Sequence, residues 1–267
     1  MIPATRASAV TDRDQTIAYS PVGVGKTSFA ATASADAPEW LTNVIQAPPK
    51  GVATVTLRDI GWLGYDRGAL AGFARMGLDV EHYHDLSGVA PSAVLKESLE
   101  VLDHFRKLGL PYLVVDTLSA LNNAFALHRA PMEAVDKRAY FAAILKDNMQ
   151  FYGGLRQVNA EIQLLCHIKQ AYADENNKVP RSLLGVPDYG PAVTGQAGDK
   201  YKGDSNNVLM LKRVQFVGED KKPRQKVVAM TQPINGIDCK VRGGADLPSE
   251  VDADWRVIRR LLSGVVA

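Results

Sequence analysis

The stretch that decides the fold is IAYSPVGVGKTSFAATA, residues 17–33. A short strand at residues 15–20 leads into a glycine-containing loop, and residues 26–34 form an alanine-rich segment typical of a helix. A strand, a glycine-rich turn and a helix in this order present several backbone N–H groups at one point, where a phosphate chain can bind. The stretch therefore predicts an α/β protein with a phosphate-binding loop, the alternative being an ordinary glycine-rich turn.

The loop carries the end of the pattern G-x-x-x-x-G-K-[ST], while Ser20 stands at the first glycine position. Serine is small, so this departure is mild. In such a loop the lysine ammonium binds the β- and γ-phosphates of a nucleotide, and the threonine hydroxyl helps to hold Mg²⁺. The predicted cofactors are ATP and Mg²⁺. The residues expected to bind them are Ser20, Pro21, Val22, Gly23, Val24, Gly25, Lys26, Thr27 and Ser28.

A second motif supports the nucleotide site. The segment PYLVVDTLSAL, residues 111–121, begins with an almost continuous apolar run, as expected for a strand buried on both faces. Asp116 ends this run, and an aspartate in that position orders the Mg²⁺ beside the phosphate loop. A capping aspartate at a strand end is the alternative. Thr27 and Asp116 are therefore the predicted metal ligands.

Composition limits the class of protein. The chain has 267 residues, of which 46% are hydrophobic and 22% charged, which suits one α/β domain. We expect an N-terminal arm at residues 1–14 and one core at residues 15–267. The net charge of +2 is too small to indicate nucleic acid by itself, and two cysteines without a CxxC pattern favour a reducing compartment. With neither a membrane-length apolar run nor a signal-peptide core, the sequence predicts a cytoplasmic protein without membrane contact, in the host cytoplasm if phage-encoded.

The order of elements predicts the fold class. Strand and helix patterns alternate up to about residue 168, which indicates a mostly parallel central sheet flanked by helices. Residues 169–206 are polar and rich in glycine and proline, and are predicted to be a long loop. Two further strand patterns around GEDKKPR, residues 218–224, indicate a hairpin that extends the sheet in antiparallel fashion. A helix is predicted at the C-terminus.

Three segments carry a resemblance to a known family. VVDTLSAL, residues 114–121, resembles the corresponding strand of the RecA and DnaB families, and LLCHIKQ, residues 164–170, resembles the next strand of RecA-like phage ATPases. CKVRGGADLP, residues 239–248, resembles the K-x-R finger of hexameric DnaB-type and KaiC-type ATPases. Together they are similar to RecA/RadA-like P-loop ATPases of the phage single-strand annealing type, which have a minimal RecA core and include phage AAA-type nucleotide-binding proteins. The resemblance implies a RecA-like P-loop NTPase core.

The resemblance also implies roles for individual residues. His167 would be a γ-phosphate sensor, with a structural core histidine as the alternative. Lys240 and Arg242 would act in trans on a neighbouring subunit's nucleotide, unless they form only a solvated basic edge. The family orients the attacking water with a glutamate after its second strand, where this chain offers Asp59, so hydrolysis is expected to be slow. The implied catalytic residues are Lys26, Asp59, Asp116, His167, Lys240 and Arg242.

RecA-like proteins bind DNA through two loops, here expected at residues 122–140 and 169–206. Cations interleaved with tyrosines suit single-stranded DNA, because phosphates meet the cations and bases stack on the rings. A mobile polar loop is the alternative. The implied DNA-binding residues are Arg129, Lys137, Arg138, Lys169, Tyr172, Lys178, Arg181, Tyr189, Lys200 and Lys202.

The expected function is that of an ATP-dependent, single-stranded-DNA-binding recombinase or annealing protein acting in phage-type homologous recombination. The resemblance implies a homo-oligomer, either a filament or a ring, with a slow ATPase stimulated by DNA and assembly. A single-strand-binding protein is a further possible partner. Two alternatives stay open: a RecA-fold motor or loader ATPase in DNA replication, and a small-molecule P-loop kinase.

Overall fold

The structure is a computed structural model that describes most of the chain. The described ranges are residues 14–44, 48–170, 172–174, 179–180, 189–193, 195–218, 220–233, 237–241 and 247–263. The predicted N-terminal arm lies outside them except for Asp14. No helix within the described ranges is long and apolar enough to cross a membrane.

The chain alternates strands and helices in its first two-thirds and ends in strands and one helix. The strands are β1 Gln15–Ser20, β2 Val55–Gly64, β3 Leu78–Asp85, β4 Tyr112–Asp116, β5 Glu161–Gln170, β6 Tyr172–Asp174, β7 Val179–Pro180, β8 Tyr189–Pro191, β9 Asn207–Val217, β10 Pro223–Met230, β11 Lys240–Val241 and β12 Glu250–Asp252. The helices are α1 Lys26–Ala31, α2 Gly68–Arg75, α3 Val94–Leu108, α4 Leu118–Glu133, α5 Lys137–Gln157, α6 Gly195–Asp204 and α7 Trp255–Leu262.

One central sheet organises the fold, with the strand order β12-β10-β9-β1-β5-β4-β2-β3. Within this order the six neighbouring strands β9, β1, β5, β4, β2 and β3 run parallel, whereas β10 and β12 are antiparallel additions. All six residues of β1 are buried, as expected for a central parallel strand covered on both faces. The architecture confirms the expected fold class, a mostly parallel α/β sheet flanked by helices with a C-terminal antiparallel extension.

Helices cover both faces of the sheet and form two cores. Helices α3, α4 and α5 pack on one face around Phe105, Phe125 and Phe151, each at most 1% exposed. Helices α1, α2 and α7 pack on the other face, where Trp255 meets Phe29 edge to face with ring centroids 5.8 Å apart. This double cover explains why the central strands carry apolar side chains on both faces of the sheet.

The register of the central strands brings their carboxyl ends together. Ser20 at the end of β1 pairs with His167 of β5, and Asp116 at the end of β4 pairs with Gly64 at the end of β2. Because these strands are parallel, the residues that follow them lie along the same edge of the sheet. This edge is where ligands bind in open α/β sheets.

Three predicted elements need correction. Strand β2 extends to Gly64, so Asp59 lies within the second strand and not after it. The predicted loop at residues 122–140 consists mainly of α4 and the start of α5, and Thr117 caps α4 by accepting a hydrogen bond of 3.1 Å from the Ala120 N–H. The predicted C-terminal helix begins only at Trp255, since Glu250–Asp252 form β12 against β10.

Candidate phosphate-binding site

The loop between β1 and α1 has the backbone of a phosphate-binding loop. Gly23 and Gly25 have φ angles of 77° and 123°, which residues with a Cβ rarely adopt. The Lys26 ammonium lies 3.2 Å from each of three oxygens: the Ser20 carbonyl, the Ser20 hydroxyl and the Pro21 carbonyl. Burial lowers the pKa of Lys26, although the nearby Asp116 opposes this shift. Ser20 therefore contributes a hydroxyl contact to the lysine that a glycine could not make.

Thr27 and Asp116 meet directly at the start of α1. The Thr27 hydroxyl donates a hydrogen bond of 3.1 Å to Asp116 Oδ2. Asp116 is 4% exposed, and burial raises its pKa to about 6, against the opposing effects of the Thr27 hydrogen bond and the Lys26 charge. A carboxylate and a hydroxyl beside a phosphate loop are the oxygen ligands that Mg²⁺ takes in nucleotide sites. The donor set therefore fits a magnesium ion.

His167 lies at the carboxyl end of β5, between the phosphate loop and the Asp116 strand. Its backbone N–H donates to Ser119 Oγ over 3.0 Å, and its Nε2 lies 3.8 Å from Asp66 Oδ2. Its Nδ1 is buried, and no described residue provides a hydrogen-bond partner for it. Burial and the Lys26 charge lower the pKa of His167, so the imidazole is neutral at pH 7. The predicted sensor histidine is thus at the phosphate-loop edge of the sheet.

Asp59 does not lie at this edge. It precedes Gly64 by five residues, which corresponds to roughly 17 Å along an extended strand. Its carboxylate accepts hydrogen bonds from the Ser34 hydroxyl and, at 2.7 Å, from the Ala35 N–H. Asp59 therefore organises the turn after α1, and the expectation that it faces the phosphate loop is corrected by the true length of β2.

Asp66 is the carboxylate that does follow the second strand. It stands two residues after Gly64, lines the cavity at the phosphate loop and faces His167 across 3.8 Å. The signal that could have found it is the apolar run IGWLG, residues 60–64, which continues the strand beyond Arg58 and Asp59. A strand pattern cut at those two charged residues stops short of Asp66.

Arg213 is a second residue that the sequence did not single out. It projects from β9, donates a hydrogen bond to the Gly23 carbonyl and lines the same cavity. No motif surrounds it, because it belongs to an ordinary strand pattern in the C-terminal hairpin. Its guanidinium adds a further positive charge beside the loop from the same chain.

One cavity of about 450 Å³ at the carboxyl edge of the sheet is lined by Lys26, Thr27, Asp66, Asp116, His167 and Arg213. The phosphate loop and Asp116 form one part of its lining. The other part consists of Trp40 and its neighbours in the α1–β2 connection, and of small residues of α2 such as Gly68 and Gly72. A cavity of this size suits a nucleotide-sized ligand.

The predicted finger residues lie elsewhere. Lys240 pairs with Val208 near the amino end of β9, and its ammonium donates to the Gly203 carbonyl over 3.3 Å. Arg213, which reaches the phosphate loop, is five residues further along β9, or roughly 16 Å away. Lys240 is thus not brought to its own phosphate loop, and Arg242 lies outside the described residues.

Several predicted DNA-binding cations are engaged in ion pairs. Arg129 donates two hydrogen bonds of 2.7 Å to the buried carboxylate of Asp147, so it is a structural residue of the α4–α5 pair. In α6, Lys200 pairs with Asp204 at 2.8 Å and Lys202 with Asp238 at 2.9 Å. These three cations do not line a loop.

The other predicted DNA-binding residues fall into three groups. Lys137 and Arg138 are exposed in the first turn of α5, and Lys169 is exposed near the end of β5. Tyr189 is partly buried in β8, opposite Gln170. Tyr172 begins β6, but its side chain is outside the described part of the structure, as are Lys178 and Arg181 altogether.

The fold and the site define an α/β protein with a phosphate-binding loop of the P-loop type. No family model matches the sequence, and no curated protein matches it. Among solved structures, the chain is similar to a RadB recombinase, with 13% identity and a TM-score of 0.37 over 90% of this chain and 84% of the other. It is also similar to the flagellar accessory protein FlaH from Methanocaldococcus jannaschii, with 9% identity and a TM-score of 0.38 over the same shares. Likenesses of this degree carry no argument about activity.

Proposed function

We propose that the chain is a RecA-like ATPase that binds ATP with Mg²⁺ in the phosphate-loop cavity and hydrolyses it slowly. One observation carries the proposal: the ends of four neighbouring strands bring Lys26, Thr27, Asp116, His167 and Asp66 to one cavity. A lysine that binds the phosphates, a hydroxyl–carboxylate pair for Mg²⁺ and a side chain that positions the attacking water are parts that phosphoryl transfer to water uses.

Binding would exchange one set of hydrogen bonds for another. The Lys26 ammonium now has three oxygen partners from its own loop, and triphosphate oxygens would replace them. The backbone N–H groups of the loop would bind the same phosphates, and Arg213 is within reach of the loop at Gly23. Thr27 and Asp116 would hold the Mg²⁺, which when bound neutralises charge on the phosphates.

In this proposal the Asp66 carboxylate orients the attacking water by accepting a hydrogen bond from it. The water oxygen forms a bond to the γ-phosphorus while the bond from that phosphorus to the β,γ-bridging oxygen breaks, giving ADP and phosphate, and the proton passes to the products. His167 is neutral, so its Nε2–H can donate to Asp66 or to a γ-phosphate oxygen. An aspartate is one methylene shorter than the glutamate of the resembled family, which supports slow turnover.

Lys240 and Arg242 would serve a neighbouring subunit. The distance of Lys240 from its own phosphate loop supports a role in trans rather than in cis. Trans-acting cations in related phosphoryl transfer contribute on the order of 10³-fold or more to the rate. Turnover per subunit should therefore rise with protein concentration, and Arg242→Ala should flatten that rise. A wild-type rate per subunit that does not depend on concentration would contradict assembly-dependent hydrolysis.

Single-stranded DNA is the partner that we propose for this oligomer. Strand β5 continues past His167 to Gln170 and pairs there with β8, so the sheet carries an extension directly beyond the phosphate-loop edge. The His167 carbonyl accepts a hydrogen bond of 2.8 Å from the Ala192 N–H, which joins this extension to the sensor position. Lys169 is exposed on the extension and would meet the DNA backbone.

Fluorescence anisotropy with a labelled oligonucleotide tests the DNA proposal. Wild-type protein with ATP and Mg²⁺ should bind the oligonucleotide. The slope of log K against log salt concentration should be roughly −0.7 per contacted phosphate. Lys169→Ala should lower both the affinity and this slope, whereas Lys200→Ala, which removes a partner of Asp204, should change neither. Absence of binding at about 50 mM salt, a range in which phosphate contacts are strong, by folded oligomeric protein would contradict DNA as the partner. An annealing assay with complementary strands then tests the narrower proposal of a phage-type annealing protein.

A further inference from the structure

The part of the cavity beyond the phosphate loop has its own wall. This wall is the segment of residues 38–44, here named the Trp40 loop, which connects α1 to β2. Five of its residues line the cavity: Trp40, Leu41, Thr42, Asn43 and Val44. The opposite side is α2, whose Gly68, Ala69 and Gly72 have small side chains or none. The two sides leave room for a flat group beside the phosphate loop.

The Trp40 loop is anchored to the body of the protein at both ends. Arg256 of α7 donates hydrogen bonds to the carbonyls of Leu41 and, over 3.4 Å, of Pro38. Asn43 exchanges hydrogen bonds with Val227 of β10, receiving one of 2.7 Å at its carbonyl and donating one of 3.2 Å from its amide. Leu41 and Asn43 are 6% and 9% exposed. The wall is therefore preformed rather than built by a ligand.

Trp40 presents an unsatisfied donor in this wall. Its indole Nε1 is buried, and no described residue accepts a hydrogen bond from it. Because this N–H is buried, the ring that lines the cavity is the part of Trp40 that a ligand can contact. Tryptophan offers a flat apolar face for stacking. A stacking face is what a nucleoside, and not a phosphate, would use.

We propose that the Trp40 loop is the nucleoside seat of the site, with the Trp40 ring stacking on the base. This inference rests on the proposed function, because the phosphate loop must hold the triphosphate next to it. It makes Trp40 a binding residue that contributes to the affinity for ATP but not to the affinity for its phosphates alone.

Two ligands separate the seat from the phosphate loop: Mg·ATP and Mg·tripolyphosphate, which has the phosphates but no nucleoside. Isothermal titration on the full chain should give about tenfold weaker ATP binding for Trp40→Ala, which removes the ring, and a smaller loss for Trp40→Phe, which keeps one. The affinity for tripolyphosphate should be unchanged in both variants, which also shows that the site is still folded.

Tryptophan emission gives a second readout from the same samples. Trp62 and Trp255 are 0% and 1% exposed, so the part of the emission change that Mg·ATP causes and Mg·tripolyphosphate does not should come from Trp40 and disappear in Trp40→Phe. ATP affinity that is equal in wild type and both variants, with no change in emission, would overturn the nucleoside seat while leaving the ATP site intact. Wild-type protein that binds neither ligand would overturn the ATP site and the seat with it.

Discussion

The Thr27 hydroxyl and the Asp116 carboxylate, 89 positions apart in the chain, share a hydrogen bond of 3.1 Å at the carboxyl edge of the sheet. The bond joins the first turn of α1 to the end of β4. Strand β5 lies between β4 and β1, the strand that leads into α1. It holds the hydroxyl and the carboxylate where a magnesium ion beside a triphosphate would need them. The carboxylate is also buried, which has a consequence for stability.

The unfolding free energy should depend on pH through Asp116. Burial raises its pKa from 3.8 to about 6, so the folded protein binds more protons than the unfolded chain between about pH 4 and pH 6. The unfolding free energy therefore falls as the pH rises through this window and stays lower above it. A pKa difference of this size corresponds to at most about 3 kcal/mol. In the absence of ligand, Asp116→Asn should thus be more stable than wild type at pH 7.

Urea unfolding of both proteins from pH 4 to pH 8 measures this effect. The difference in unfolding free energy should shrink as the pH falls toward 4, where the wild-type carboxyl is protonated in the folded protein and partly protonated in the unfolded chain. A destabilised Asp116→Asn whose deficit grows as the pH rises would show that the carboxylate is favourably ionised in the folded protein, contrary to our account.

Asp66 and Asp59 should behave differently when each is changed to asparagine. Asp66→Asn removes the carboxylate proposed to orient water, so turnover should fall on the order of 100-fold with ATP affinity within about threefold of wild type. Asp59→Asn keeps an oxygen for one of its two donors, Ser34 or Ala35, and changes nothing at the phosphate-loop edge, so it should leave turnover unchanged. A steady-state ATPase assay with titrated affinities decides between them. Loss of turnover in Asp59→Asn alone would return the catalytic role to Asp59.

Arg129 should matter for stability rather than for DNA. Asp147 is 2% exposed, and Arg129→Ala would leave its carboxylate buried without its two guanidinium hydrogen bonds. The expected loss of unfolding free energy is about 3 kcal/mol, the lower end of the range for breaking a buried pair, because the Arg129 side chain is 30% exposed. Denaturant unfolding measures it, with the exposed Lys137→Ala as the matched control. A stable Arg129→Ala that has lost DNA binding would contradict this assignment.

The phosphate loop and the Asp116 strand could be predicted from sequence because both depend on local order. A strand, a glycine turn and a GKT tripeptide dictate their own geometry, and a fully buried strand is apolar along its length. Asp66 could not be found in this way. Charged residues at 58 and 59 lie within β2 because Asp59 accepts hydrogen bonds from Ser34 and Ala35 in the turn after α1. This is a tertiary contact that the local sequence pattern does not contain.

The helical region after Asp116 was mispredicted for a similar reason. Residues 118–133 have a weak helical pattern and include Pro131, yet they form α4 because Thr117 caps the helix and α5 packs against it. The ion pair between Arg129 and Asp147 then uses a cation that the sequence suggested for DNA. The packing of α4 against α5 decides whether such a cation is available to a ligand, and the sequence pattern alone does not reveal that packing.

Calorimetric titration of Mg·ATP into wild-type protein and into Lys26→Met tests the central claim most directly. Methionine keeps the length of the side chain in its buried position but lacks the ammonium, which now contacts only oxygens of its own loop. Lys107→Met, an exposed change on α3, is the matched control. We predict that wild type and Lys107→Met bind Mg·ATP equally, whereas Lys26→Met binds on the order of 100-fold more weakly, since an ammonium hydrogen-bonded to phosphate is a strong, charge-assisted contact. Equal affinity of a folded Lys26→Met variant, or no binding by the wild type, would contradict the assignment of this cavity as an ATP site.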